Sequence, residues 1–125
     1  MSRFILRRVD TGYKFDLYAA NGQTIAGSEV YETLAACRKG AESVRKCALF
    51  AHLEDQTAEE FKSMPHPKFQ IFRDRAGRFR FRLKARNGKV VAVSEGYLTK
   101  AGCENGIRSV RENAPDAEVE EPADL

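Results

Sequence analysis

No stretch of this chain is apolar for the length that a bilayer span demands. Its first residues, MSRFILRRVD, also lack the apolar run of a secretory leader, so the expected location is the cytoplasm. Cysteine is scarce: Cys37, Cys47 and Cys103 make an odd count with no CxxC spacing, a pattern that gives neither a disulfide scaffold nor a zinc site. Histidine is scarcer still. His66 lies between two prolines and His52 on an expected strand, and neither has a second ligand at metal spacing. There is no nucleophile–base pair and no phosphate loop, so no catalytic residue, metal or cofactor is expected.

What is present reads as one small folded unit. A hydrophobic fraction of 42% and a charged fraction of 31% over 125 residues suit a single soluble domain with a real core. The dominant feature is a repeat. AANGQTIAGSEVY, starting at Ala19, is echoed by ARNGKVVAVSEGY, starting at Ala85. Setting Asn21-Gly22 on Asn87-Gly88 aligns residues 3–55 with 68–121, with one gap near Gly12 and Gly77 that brings Phe4 onto Phe69. Residues 56–67 then form a linker and 122–125 an acidic tail, the whole of 1–125 being one domain.

Each copy reads as three strands, a helix and a weaker strand. FRFRLK alternates strictly, with Phe79, Phe81 and Leu83 on one face and Arg80, Arg82 and Lys84 on the other, the signature of a half-buried antiparallel strand. Asn-Gly between apolar strands signals a hairpin with a type I′ turn. Thr99 is a fair N-cap for KAGCENGIRSVREN, in which Cys103, Ile107, Val110 and Ala114 recur at helical spacing. Gly102 and Gly106 each cost the helix about 1 kcal/mol relative to alanine, so a close approach of helix to sheet is expected to offset them. Short last strands are expected around Leu53 and Val119. In the linker, Thr57 and Glu60 have capping-box spacing and predict a helical turn or two before Pro65.

The run SEGYLTKAGCENGIRSVRENA closely resembles the YegP-like family, bacterial proteins built from one or two copies of a domain of unknown function. The first copy, SEVYETLAACRKGAESVRKCA, is degenerate, with Val30, Ala36 and Lys39 in place of Gly96, Gly102 and Asn105. The resemblance implies an α+β fold: tandem β3-α-β repeats sharing one mostly antiparallel sheet, two helices on one face, a pseudo-two-fold axis and exchanged C-terminal strands. It brings no activity, cofactor or catalytic residue.

Charge is distributed unevenly. Residues 68–89 hold nine Lys or Arg against the single acid Asp74, and from Glu112 onward there are six acids and no base. A candidate surface for nucleic acid or a partner therefore comprises Arg73, Arg75, Arg78, Arg80, Arg82, Lys84, Arg86 and Lys89. The competing reading pairs these bases with Glu118 and Glu120, pointing outward from the last strand. Ser28-Glu29-x-Tyr31 and Ser94-Glu95-x-Tyr97 could line a small polar site, but nothing is placed to activate the serines. They read better as strand-to-helix connections, the tyrosine packing its ring and the glutamate satisfying backbone donors. Cys37 and Cys103 read as small core residues, and Cys47, beside Arg45 and Lys46, as the more reactive candidate. The expected function is a non-enzymatic binding or interaction module, a monomer of pseudo-dimeric build, with a protein partner favoured. That reading expects an exposed apolar patch near Tyr18 and the sheet edge. Weak nucleic-acid binding through the basic face is the alternative.

Overall fold

Alternating apolar and polar residues give each strand one face to bury, and the chain satisfies them all on a single sheet. In the computed structural model, which describes residues 1–123 and 125, the elements are β1 (Arg3–Val9), β2 (Gly12–Tyr18), β3 (Thr24–Gly27), α1 (Leu34–Cys47), β4 (His52–Asp55), β5 (Lys68–Arg73), β6 (Phe79–Lys84), β7 (Val90–Val93), α2 (Lys100–Asn113), a 3₁₀ turn (Ala114–Asp116) and β8 (Glu118–Glu120). The expected acidic tail includes residue 124, which lies outside the described residues.

The eight strands run in the order β4-β5-β6-β7-β3-β2-β1-β8. All neighbours are antiparallel except the outermost pairs, β4 with β5 and β8 with β1. The last strand of each repeat therefore pairs with the other repeat, as the exchange requires. At the centre, Gly27 pairs with Val93. These two residues occupy the same place in their repeats, so the pseudo-two-fold axis passes through that bridge.

Phe4, Leu6, Phe15 and Leu17 from one repeat and Phe69, Ile71, Phe81 and Leu83 from the other are all at most 1% exposed. They meet the buried face of the helices, Cys37, Ala41 and Val44 on α1 and Cys103, Ile107 and Val110 on α2. Each helix straddles the seam, α1 reaching β7 and α2 reaching β3. Thr33 and Thr99 cap the two helices, each Oγ1 accepting the amide of the residue three further on at 3.0 Å. The mid-helix glycines have a more specific role than expected. A Cβ at Gly106 would lie 2.3 Å from Tyr97 Oη, and one at Gly40 would lie 2.2 Å from Tyr31 Oη. These tyrosines stack on Phe81 and Phe15, at centroid distances of 6.4 and 6.3 Å. The glycines make room for a phenol roof over the sheet aromatics.

Two local expectations are corrected. The hairpin turns are not type I′, because positive φ is confined to the glycine: Gly88 at 81° and Gly22 at 86°, with no non-glycine residue in that region among the described residues. Gly88 N donates to Ala85 O, and Ala85 N to Lys89 O, both at 2.9 Å. This is a type I turn followed by a left-handed glycine, the usual three-residue hairpin loop. The segment 56–67 holds no helical turn. Thr57 donates its amide to Asp55 Oδ1 at 2.9 Å, so the capping residue closes a local turn on the preceding aspartate instead.

Candidate functional site

The eight basic residues singled out by the sequence are spread over β5, β6 and the two turns that flank β6. Arg80, Arg82 and Lys84 do project from the sheet face opposite the helices. Arg75 and Arg78 sit in the β5–β6 turn at one end of β6, Arg86 and Lys89 in the β6–β7 turn at the other, about 20 Å apart along a six-residue strand and its turns. Arg73 lies on the helix side, its guanidinium 4.5 Å from the Phe79 ring centroid.

The two central arginines are already engaged. Arg80 Nε meets Asp74 Oδ2 at 2.7 Å. The Arg80 guanidinium, and then the Arg78 amide, hold the Asp74 carboxyl below its ordinary value against some desolvation. Arg82 donates to Gln70 Oε1 at 2.6 Å and lies over Phe72. Neither arginine meets the C-terminal acids. Strand exchange carries β8 to the far edge of the sheet, where Glu118 is opposite Arg3, and Glu120 reaches Arg3 at 3.5 Å. The proposed pairing of the basic strand with Glu118 and Glu120 is thereby overturned.

The acid that does serve this face comes from the other repeat. Parallel pairing of β4 with β5 sets Glu54 beside Gln70. Its carboxylate accepts from Lys68 Nζ at 2.7 Å, Gln70 Nε2 at 2.6 Å, Gln56 Nε2 at 2.8 Å and the Met64 amide at 2.9 Å. Glu54 is 2% exposed and Lys68 6%. Burial alone would push the Glu54 carboxyl up, but Lys68 and the three further donors outweigh it and bring it down to about 2. With every partner present, this cluster anchors segment 56–67 to the sheet. Nothing in the chain's local pattern marks Glu54 for burial; only the register of β4 on β5 does.

The serine–glutamate–tyrosine stretches make the connections from β3 to α1 and from β7 to α2. Ser94 Oγ accepts from the Phe81 amide and donates to Glu95 O, both at 2.9 Å, and Ser28 does the same with Phe15 and Glu29. The serine, not the glutamate, satisfies the backbone; Glu29 and Glu95 are exposed. A groove of about 460 Å³ along the seam does include Ser94, Glu95 and Tyr97. Burial, then Cys103 and Glu95, push the Tyr97 phenol upward. All three cysteines are buried free thiols. Burial raises Cys47 to about 11 despite nearby Arg86, so its thiol is no more reactive than those of Cys37 and Cys103.

The most distinctive surface lies where α1 runs into β4. A cavity of about 600 Å³ is lined by Ser43, Lys46, Cys47, Phe50, His52, Pro67, Ala85, Arg86 and Asn87. Beside it, Leu49 is 54% and Phe50 76% exposed, and Leu53 on the edge strand is 42% exposed. Arg111 of α2 fixes this turn, its guanidinium donating to Ala48 O at 2.9 Å and Leu49 O at 3.3 Å while lying over Phe69. An exposed apolar group thus lies at the β4 edge, whereas Tyr18 itself is half-buried and has the exposed Met1 near it, across a hollow lined by Met1 and Ala19. Only Arg86 of the eight candidate bases belongs to the cavity.

Pseudo-symmetry provides an internal comparison. The positions equivalent to Leu49 and Phe50 are Pro115 and Asp116, which make the corresponding turn with no exposed large apolar side chain. Lys46, His52 and Arg86 are matched by Glu112, Glu118 and Ala20. The hollow at that other end is lined by Met1, Arg3, Glu118 and Glu120 among others, with Arg3 reaching Glu120, so it holds two acids against one base where the cavity holds bases and no acid.

Comparison with known proteins places these observations. A family model described as a domain of unknown function, DUF1508, matches the chain twice, over residues 9–55 and 74–121. A UPF0339 protein of Pseudomonas aeruginosa is 34% identical over 117 residues, 93% of either chain. One from Treponema denticola is 63% identical over 54 residues, 43% of this chain but 93% of that relative. The fold is similar to two solution NMR structures, each aligned over 96% of this chain. Escherichia coli yegP, a protein of unknown function, has a TM-score of 0.75 at 30% identity over 91% of its chain. A UPF0339 protein of Shewanella oneidensis has a TM-score of 0.78 at 25% identity over 90% of its chain.

Proposed function

The chain belongs to the DUF1508 family, carrying two copies of a domain of unknown function, and we propose a function from its surface: it is a small non-enzymatic module that binds another protein where α1 runs into β4. The observation that carries this reading is the exposed pair Leu49 and Phe50 beside the cavity. The fold does not need them, since Pro115 and Asp116 make the equivalent turn in the second repeat. Exposed apolar side chains grouped at a concave surface mark interaction sites more often than isolated ones do. Against catalysis stand the serine hydroxyls fully engaged with backbone and the thiols raised to about 11.

Nucleic-acid binding ranks second. It is favoured by Lys84, Arg86 and Lys89, which form no ion pair among the described residues. It is weakened by the engagement of Arg80 and Arg82, and by Phe72, the aromatic beside them, lying under the Arg82 guanidinium.

The test is site-specific photo-crosslinking in cells from position 50, with position 116 as its pseudo-symmetric control. A discrete protein adduct from position 50 alone is the expected result. No adduct, or the same adducts from both positions, would refute the docking reading. In parallel, titration with random-sequence RNA and DNA at two salt concentrations addresses the second reading: salt-sensitive binding lost in Arg80→Glu/Arg82→Glu would promote it.

A further inference from the structure

We infer that the surface at the α1–β4 end accepts a short, extended, acidic peptide segment that inserts one apolar side chain into the cavity. This rests on the docking reading above and supplies the chemistry of the partner.

The cavity has two kinds of wall. Its apolar part is made by Cys47, Pro67 and Ala85 with the Phe50 ring at the mouth, and its rim carries Lys46, His52 and Arg86. Cys47 and Ala85 are each 8% exposed, so the floor is closed. Lys46 and Arg86 are exposed and form no ion pair among the described residues. No acidic side chain lines the cavity. A volume of about 600 Å³ lies within the range of ligand pockets and has room for one large side chain with part of its backbone. Apolar walls under an uncompensated cationic rim complement an apolar group flanked by carboxylates.

The occupant is a chain segment and not a compact ligand because the surface continues. A shallow groove runs along the outer face of α1 from Ala35 to Lys46, sharing Ser43 and Lys46 with the cavity. At 1.5 Å per residue that path is about 16 Å long. An extended segment of about five residues covers it. Lys39 and Lys46 are the bases of the groove that form no ion pair among the described residues; Arg38 is bound to Glu121, and the one acid in the lining, Glu42, is held by Arg45. A polyanionic backbone such as RNA would match the lysines and could stack a base on Phe50 or His52, but would leave the apolar floor of Cys47, Pro67 and Ala85 unfilled. Charge complementarity and the apolar floor together favour the peptide.

The second repeat again serves as a control. Glu112 and Glu118 at its equivalent end would repel the same segment, so binding should occur at one end only.

The experiment uses the full chain and fluorescence polarisation with pooled, labelled dodecapeptides of fixed composition. One pool carries four acids and a single phenylalanine at varied spacing, a second replaces the phenylalanine with alanine, and a third replaces the acids with lysine. Binding by the first pool alone, weakened by added salt, is expected. Lys46→Glu/Arg86→Glu should weaken it about tenfold or more, as two exposed attractions become repulsions. Phe50→Asp, which installs the residue of the equivalent turn, should abolish it, and both variants should melt as the wild type does. Equal binding of the alanine pool, binding of the lysine pool, or no binding would overturn the inference. So would preferential binding to single-stranded RNA or to phosphatidylserine vesicles, or concentration-dependent self-association lost in Lys46→Glu, each of which assigns the surface to a different occupant. A crosslink from position 50 without peptide binding would leave the docking reading standing and overturn only this one.

Discussion

Replacing Glu54 with alanine should be severe although it leaves the exposed surface unchanged. The side chain is 2% exposed, and its loss strands four donors at once: Lys68 Nζ, Gln70 Nε2, Gln56 Nε2 and the Met64 amide. Lys68, 6% exposed, would be left as a buried cation without a counter-charge. Breaking such a pair from one side costs about 3–5 kcal/mol. That is a large share of the roughly 5–15 kcal/mol that holds a domain folded. At about 2.1 cal/mol/K per residue of unfolding entropy, the loss lowers Tm by roughly 10–20 °C. Glu120→Ala is the matched control, because Glu120 holds the equivalent place in the second repeat but is exposed and reaches Arg3 at only 3.5 Å; it should cost under about 1 kcal/mol. Glu54→Leu/Lys68→Met should recover part of the loss by removing both charges together. Thermal melts and urea titrations at neutral pH read the difference. The same experiment extends to acid. Burial raises the Glu54 carboxyl, the four donors lower it by more than that, and the balance falls from the ordinary 4.5 to about 2. A depressed carboxyl contributes its full stability above its unfolded value, so the advantage of wild type over the alanine variant should shrink as pH falls from about 4.5 to 2. A Glu54→Ala protein that melts within a few degrees of Glu120→Ala would refute the reasoning, since Lys68 would then have found water without cost.

Two further outcomes follow from the packing. Gly106→Ala places a methyl group against Tyr97 Oη and within 3.0 Å of Phe81, and should destabilise by about 1–3 kcal/mol; adding Tyr97→Phe should return part of that loss in chemical denaturation, whereas strictly additive effects would show that the phenol is not the obstacle. With burial holding all three thiols at about 11, labelling by a disulfide reagent at pH 8 should be slow in the native protein and rapid in denaturant, and fast native labelling of Cys47 would contradict its burial.

Much of the architecture is legible in the sequence because its signals are local. Strict alternation in FRFRLK, threonine caps and the Asn-Gly pairs each act within a few residues, and the strands, helices and hairpins lie where those patterns put them. What escaped depends on which strands become neighbours. Glu118 and Glu120 appear suited to pair with Arg80 and Arg82 until strand exchange carries β8 to β1. Glu54 looks like any edge acid until β5 brings Lys68 and Gln70 alongside it. Thr57 has the spacing of a helix cap, yet the nearer Asp55 takes its amide. The candidate surface was legible only in part. Leu49 and Phe50 read as ordinary apolar residues before a strand, and their exposure becomes informative only against Pro115 and Asp116 in a folded repeat.

The parallel neighbours β1 and β8 bring the two ends of the chain together, just as β4 and β5 lie together at the opposite edge with residues 56–67 between them. Followed along its path, the molecule is a ring opened at one of two equivalent places. A loop joining residue 125 to residue 1 would close that ring. Reopening it within 56–67 would then give a permuted chain, β5 to β8 followed by β1 to β4, with every strand neighbour kept. On such an architecture, joining two copies into one chain requires a single new loop.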